Sequence, residues 1–179
     1  MSSLYAQINA KRQLRRSVLS SFVIIGITIA LCAILVLLFF PIEKINTDNM
    51  SGRLDNNDIV LCMKQPAYAV GDLVVISYGD FTLVKRIVAL SGDYVDFDNE
   101  NHLLVNDVLV DEWYILNSRV GDYENVYPRQ VSDESYFVLS DNREVMSDSR
   151  SGYIGDVKQD IIVGRVLFRF WPFDKISII

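Results

Sequence analysis

The stretch Phe81-Thr-Leu-Val-Lys-Arg-Ile-Val-Ala-Leu90 sets a lysine and an arginine side by side within an otherwise mainly apolar run. Apolar runs that are rich in β-branched residues and bounded by turn residues are typical of β-strands, and Ser91-Gly92-Asp93 closes this one. A lysine on such a strand is usually a solvated surface group, so the role of Lys85 depends on the sequence around it.

The chain beyond residue 40 repeats this pattern of short β-rich runs separated by turn residues. Asn106-Asp107 separates two of the runs, and both residue types tolerate the left-handed backbone of a two-residue hairpin turn. The pattern predicts a mainly β domain with strands at Ile59–Met63, Leu73–Tyr78, Phe81–Leu90, Tyr94–Phe97, Leu103–Val105, Val108–Val110, Ser135–Leu139 and Ile161–Phe168. Residues 112–134 show the weakest pattern, and we expect them to form a loop insertion.

Residues 17–40 contain no charged side chain and are almost wholly apolar from Phe22 onward. Because about 20 helical residues cross the roughly 30 Å hydrocarbon core of a bilayer, this run predicts a transmembrane helix. A cleavable signal peptide usually has an apolar core of about 7–15 residues followed by small residues, whereas this run ends in Phe39-Phe40-Pro41. Four basic residues precede it, so the positive-inside rule places residues 1–16 in the cytoplasm and residues 41–179 outside the cell membrane.

The charges beyond this helix are mostly acidic. Residues 41–179 hold 13 basic and 23 acidic side chains, which gives this part a formal charge of −10. An acidic domain argues against nucleic-acid binding, which needs a basic surface. Cys32 lies in the predicted membrane helix and Cys62 in the outer domain, so we expect no disulfide. No cluster of His and Cys suggests a metal site, and we expect no cofactor.

Four motifs follow one another along the chain. They are Asn49-Met50-Ser51-Gly52-Arg53-Leu54, then Gly71-Asp72, then Lys85-Arg86 with Gly92-Asp93, and finally Ser140-Asp141-Asn142-Arg143-Glu144-Val145-Met146-Ser147-Asp148-Ser149-Arg150. Their order and spacing resemble those of the bacterial type I signal peptidases, membrane-bound serine peptidases that use a Ser-Lys dyad. The family patterns are Ser-Met-x-Pro-Thr-Leu for the first motif and Gly-Asp-Asn-Arg-x-x-Ser-x-Asp-Ser-Arg for the last. The resemblance implies coiled antiparallel sheets around a substrate groove near the membrane.

By this resemblance, Lys85 takes the position of the general base, which must be neutral to accept a proton. The nucleophile position falls on Asn49, or on Asp48 if the register slips by one residue. A carboxamide is not a competent nucleophile, and a carboxylate beside Lys85 would keep the lysine protonated. The helper serine, which orients the lysine, falls on Met146, a residue without a hydrogen-bond donor. We therefore expect an inert site.

The resemblance also assigns the remaining positions. An oxyanion-assisting hydroxyl falls on Thr47. The substrate groove is expected to include Met50, Ser51, Gly52 and Leu54. The structural frame is expected to contain the charge pairs Arg86–Asp141 and Asp148–Arg150, together with Asn142, Arg143 and Ser149.

We therefore expect a signal-peptidase-like protein that binds extended peptide, preprotein or pilin segments without cleaving them. Degenerate relatives of this kind accompany sortase-assembled pilus genes in Gram-positive bacteria, which implies an accessory or chaperone-like role in pilus assembly. Two alternatives stay open. The first is an active signal peptidase that cleaves after Ala-x-Ala with a relocated nucleophile, in which Ser51 or Ser147 shifts into the missing roles. The second is a membrane-tethered scaffold with a closed groove.

Overall fold

The computed structural model describes residues 2–46, 50, 52–79, 81–115 and 125–179, with side chains from Arg15 onward. The chain divides into two compact units, Met1–Phe39 and Phe40–Ile179. Four predicted site positions, Thr47, Asp48, Asn49 and Ser51, lie outside the described residues.

The first unit is a single helix, α1, from Ser2 to Phe39. Its apolar part, Arg15–Phe39, is long enough to cross a membrane, and the side chains along it are exposed. The helix begins well before the predicted span at residue 17. The basic segment that precedes the span contains no Gly or Pro and is rich in good helix formers, so the helix continues through it.

The second unit consists of short strands, most of which begin or end at the turn residues that the sequence shows. In chain order they are β1 Ile42–Lys44, β2 Ile59–Met63, β3 Leu73–Tyr78, β4 Phe81–Leu90, β5 Tyr94–Phe97, β6 Leu103–Val105, β7 Val108–Leu109, β8 Arg129–Gln130, β9 Ser135–Leu139, β10 Val157–Lys158, β11 Ile162–Trp171 and β12 Ser177–Ile178. Two short 3₁₀ helices, Gln159–Ile161 and Phe173–Lys175, flank β11.

The strands form two antiparallel sheets within the described part of the chain. The larger sheet has the order β1-β2-β11-β3-β4-β9-β10, with β12 paired to β11, and the smaller has the order β7-β6-β5-β8. Successive residues of β3 point to opposite faces of the larger sheet, so that Leu73 and Val75 join one apolar cluster while Val74 and Ile76 join another. A third cluster packs β4 and β9 against β5 and β6. β4 thus lies where all three clusters meet.

The predicted fold class, mainly antiparallel β with one N-terminal apolar helix, is confirmed. The predicted hairpin is also present, and its turn residues Asn106 and Asp107 have φ values of 53° and 63°. The prediction of a loop throughout residues 112–134 is wrong in part, because β8 pairs with β5, and residues 116–124 of this segment lie outside the described residues. A two-residue strand is too short to show alternation, which explains why the sequence did not reveal β8.

Candidate active site

Lys85 lies near the middle of β4 and is fully buried. Its Nζ donates a hydrogen bond to Ser140 Oγ at 2.8 Å and a longer one to Ser147 Oγ at 3.4 Å. Ser140 directly follows β9, the strand that pairs with β4, and it is also fully buried. Ser147 lies farther along the same loop and is partly exposed. The lysine therefore has one hydroxyl partner in the interior and one that reaches the surface.

Burial lowers the pKa of Lys85 from 10.5 to about 7. The carboxylates of Asp148 and Asp141 oppose this shift, while the guanidinium of Arg150 adds to it. An amine with a pKa near 7 is unprotonated in a large fraction of molecules at neutral pH, and a neutral amine can accept a proton from a hydroxyl. Lys85 therefore has the charge state that a general base requires.

Asp148 fixes the loop that carries both hydroxyls. Its Oδ2 accepts the backbone N–H of Ser140 at 3.0 Å, and both of its carboxylate oxygens accept hydrogen bonds of 2.9 Å from Arg150. Burial alone would raise the pKa of Asp148, but the hydrogen bonds and charge of Arg150 hold it below its usual value. Arg150 also donates to the backbone oxygens of Arg143 and Val145, both at 3.0 Å. The Asp148–Arg150 pair thus closes the loop from the inside.

A second buried pair lies beside Lys85 on the same strand. Arg86 donates to both oxygens of Asp141, at 2.8 and 2.5 Å, and to the backbone oxygen of Gly71 at 2.8 Å. The backbone N–H of Asp141 points to Met50 Sδ at 3.4 Å. This contact joins the first motif of the sequence to the last.

One edge of β4 is open over its first half. Among the described strand pairings, residues Phe81–Lys85 pair only with β3, because β9 pairs with β4 from Arg86 onward. This unpaired edge runs from the exposed Phe81 to Val84 and Lys85, which are both fully buried.

The backbone hydrogen bonds of Ile87 show which residues of β4 direct their N–H and C=O groups to this open edge. Ile87 faces the β3 side, where its N–H donates to Asp72 O at 3.0 Å and its carbonyl accepts the N–H of Gly71 at 2.8 Å. Backbone groups of successive strand residues point to opposite edges. Thr82 and Val84 therefore direct their N–H and C=O groups to the open edge.

The sequence matches a known protein family and several known proteins. The family model for signal peptidase, peptidase S26, matches residues 15–171. The chain belongs to this family. Signal peptidase I S of Bacillus subtilis is 30% identical over 173 residues, which cover 90% of this chain and 93% of that protein. Signal peptidase IB of Staphylococcus aureus is 39% identical over 107 residues, and this match spans 51% of the chain and only about half, 54%, of that protein.

A crystal structure of a signal peptidase I from Enterococcus faecalis is similar with a TM-score of 0.48 and 25% sequence identity. The match covers 55% of this chain and 96% of the Enterococcus faecalis chain. The assignment to the signal peptidase family depends on the family model and on the Bacillus subtilis relative.

The expectation that Lys85 has no hydroxyl partner is wrong. Met146, at the family's helper position, is partly exposed, and the described hydrogen bonds of Lys85 go to Ser140 and Ser147 instead. Ser140 stands where the signal peptidase pattern has glycine, so its hydroxyl was the sequence signal that could have identified this contact. Ser147 directly follows Met146. The alignment of motifs places a residue along the chain, but it does not say which neighbouring side chain turns inward.

The structure places two predicted groove residues in the interior. Met50 and Leu54 belong to the apolar cluster of the larger sheet, with exposures of 1% and 0%, while Gly52 is exposed. The groove assignment of these residues stays a prediction, as do the roles of Thr47, Asp48, Asn49 and Ser51 outside the described residues.

The remaining frame residues lie around the same loop. Ser149 Oγ accepts the backbone N–H of Val138 at 2.9 Å, and Asn142 Oδ1 accepts that of Glu144 at 3.2 Å. Arg143 Nε donates to Ser140 O at 2.9 Å. These bonds hold the loop after β9 against the larger sheet.

Sequence reasoning missed the contribution of Glu112–Tyr114. Glu112 forms a buried ion pair with Arg143, and the ring of Tyr114 lies over the guanidinium of Arg86 at 4.2 Å. These residues belong to the segment with the weakest pattern, and an isolated acidic residue there gives no sign of a distant arginine partner. The described residues contain no group of three His, Cys, Asp or Glu side chains that could hold a metal ion.

We predict that Lys85→Met removes a pH-dependent part of the stability. The folded-state pKa of Lys85, about 7, lies below its ordinary value of 10.5, so the unfolded chain binds more protons between these values and the unaltered protein gains stability as pH rises from 7 to 10.5. The variant lacks this gain. Its melting temperature relative to the unaltered protein should therefore be highest at pH 7 or below and should fall by several degrees toward pH 10.

Lys64→Met, at an exposed lysine, serves as the matched control for the melting curves. Its pH profile should run parallel to that of the unaltered protein. A parallel profile for Lys85→Met as well would mean that the amine of Lys85 is solvated.

Proposed function

We propose that this member of the signal peptidase family binds extended peptides at the open edge of β4 without cleaving them. The observation that carries the proposal is this edge, which runs from Phe81 to the buried Lys85, whose pKa burial lowers to about 7. An extended peptide would add to the sheet as a further strand. Backbone hydrogen bonds then supply affinity, and side-chain pockets supply specificity.

The expected absence of cleavage follows from the chemistry of the nucleophile position. With Asn49 or Asp48 there, the peptide would meet an amide or a carboxylate where a serine peptidase presents a hydroxyl. Ser140 is fully buried, so a bound peptide could not reach it. We assign Ser140 the role of a positioning residue, whose hydroxyl holds the amine of Lys85.

The apolar part of α1 would anchor the protein in the cell membrane, with residues 1–16 in the cytoplasm and the β domain outside. A preprotein or pilin segment emerging from that membrane would be an extended peptide within reach of the domain. The protein would then act as an accessory or chaperone-like factor beside the sortase machinery of a Gram-positive pilus, as its resemblance to degenerate signal-peptidase-like proteins suggests.

One contact favours a second candidate, an active signal peptidase. Ser147 Oγ lies 3.4 Å from Lys85 Nζ and is partly exposed. In this mechanism Lys85 takes the proton of Ser147 as the oxygen attacks the scissile carbonyl, and the protonated lysine later donates to the leaving amine. The 3.4 Å separation is long for a reactive pair, which is why binding without cleavage is the leading proposal.

These candidates differ in a peptide assay on the full chain in detergent micelles. We expect a fluorescent signal-peptide substrate ending in Ala-x-Ala to bind and to stay intact. Cleavage that disappears in both Lys85→Met and Ser147→Ala would establish the second candidate, and loss in Ser51→Ala would instead assign the nucleophile to Ser51. If the chain neither binds nor cleaves the peptide, the remaining alternative is a membrane-tethered scaffold.

Replacing the nucleophile position should restore hydrolysis without any change at Met146, because Ser140 already holds Lys85. We predict that one of the two single variants, Asn49→Ser or Asp48→Ser, raises the cleavage rate on the order of 100-fold above background while the other does not. This increase is a small fraction of the roughly millionfold effect of a complete triad. The active variant would identify the register. If both variants were inert, Lys85 would not face the nucleophile loop.

Two proline variants test the open edge. Thr82→Pro removes an N–H that points to this edge, so the domain should fold while peptide affinity falls about tenfold or more, as expected for the loss of one backbone bond. Leu83→Pro removes an N–H that points to β3 and should destabilise the fold by about 3 kcal/mol or more. Melting curves and fluorescence anisotropy measure the two effects, and unchanged affinity in folded Thr82→Pro would contradict strand addition here.

A further inference from the structure

A small pocket in the β domain is lined by three arginines. Arg53, Arg86 and Arg165 surround a cavity of about 90 Å³, with Asp72 as its acidic lining residue. Leu73, Val166 and Ile179 supply the apolar part of the wall. A cavity of this size can take one small polar group but not a large side chain.

Two of the three arginines around the pocket are already paired with carboxylates. Arg86 is paired with Asp141, and Arg165 Nε lies 3.2 Å from Asp72. No ion pair is present for Arg53 among the described residues, and its guanidinium contacts the ring of Trp113. One guanidinium is thus left to balance an incoming anion.

Two adjacent aromatic residues each stack against the guanidinium face of one pocket arginine. The ring of Trp113 lies 4.9 Å from the guanidinium carbon of Arg53, and that of Tyr114 lies 4.2 Å from the one of Arg86. Their neighbour Glu112 is fixed by its buried pair with Arg143. Stacking uses the face of a guanidinium and does not occupy the N–H groups in its plane, although Arg86 already donates to Asp141 and to Gly71 O. The pocket is therefore ordered before a ligand arrives.

We propose that this pocket binds one carboxylate of the bound peptide and that Arg53 determines this specificity. Arg53 directly follows Gly52 in the first motif, where the signal peptidase pattern has threonine, so the positive charge distinguishes this chain from that pattern. Arg86 belongs to both the pocket and β4, the strand with the open edge. The inference rests on the proposed function for the identity of the ligand as a peptide. The carboxylate belongs either to an Asp or Glu side chain or to a peptide C-terminus.

The test measures the affinity of the full chain in detergent for three labelled peptides of otherwise identical extended sequence. The first carries an internal Glu and an amidated C-terminus, the second carries Gln and a free C-terminus, and the third, the neutral partner of both, carries Gln and an amidated C-terminus. We expect about tenfold tighter binding of one carboxylate-bearing peptide over its neutral partner, and the peptide that shows it identifies the source of the carboxylate. The preference should weaken as the salt concentration rises.

Arg53→Gln should remove the preference while binding of the neutral peptides stays the same. Lys64→Gln removes an equal charge at an exposed lysine outside the pocket and should retain the preference. Equal affinities for charged and neutral peptides in the unaltered chain would overturn the inference and leave peptide binding intact. Equal loss of the preference in Arg53→Gln and Lys64→Gln would also overturn the inference, since the preference would then reflect the overall charge of the protein.

If no peptide bound, the proposed function would be contradicted. Anion binding by the pocket would then be tested separately with inorganic sulfate. At matched ionic strength, sulfate in place of chloride should raise the melting temperature of the unaltered chain and of Lys64→Gln by several degrees more than that of Arg53→Gln. Equal shifts in all three proteins would overturn the anion pocket itself.

Discussion

The amine of Lys85 is held in the interior by the hydroxyl of Ser140, and much of the surrounding structure serves this contact. A buried amine favours its neutral form because the interior solvates a charge poorly. Asp148 limits this effect and, by accepting the N–H of Ser140, also sets the position of the hydroxyl. The charge state and orientation of the lysine therefore depend on the loop after β9 and on the ion pair between Asp148 and Arg150 within it.

Three buried arginine–carboxylate pairs extend this arrangement across the domain. Arg86–Asp141 ties β4 to the loop after β9, Arg150–Asp148 closes that loop, and Arg143–Glu112 joins it to the segment after β7. Removing one partner of such a pair leaves an uncompensated charge in the interior, which is strongly destabilising. The frame around Lys85 is thus required for folding, whether or not the nucleophile position can support catalysis.

Peptide binding and peptide hydrolysis place different demands on this fold. Binding by strand addition needs an unpaired strand edge, and the first half of β4 has one among the described strand pairings. Hydrolysis needs in addition a hydroxyl that is exposed to the peptide and close to a neutral amine. Ser140 is close but buried, and Ser147 is partly exposed but at 3.4 Å. The two requirements are thus divided between two serines.

The sequence by itself determined the elements whose signals are local. Turn residues and apolar runs gave the longer strands, an uncharged stretch gave the apolar helix, and the spacing of Lys85, Asp141 and Asp148 gave the family. Tertiary structure alone decided which hydroxyl faces Lys85, which arginine pairs with Glu112, and which half of β4 is left open. These depend on contacts between residues far apart in the chain, and a side chain's direction at such a contact is set by packing and register, which leave no periodic trace in the sequence.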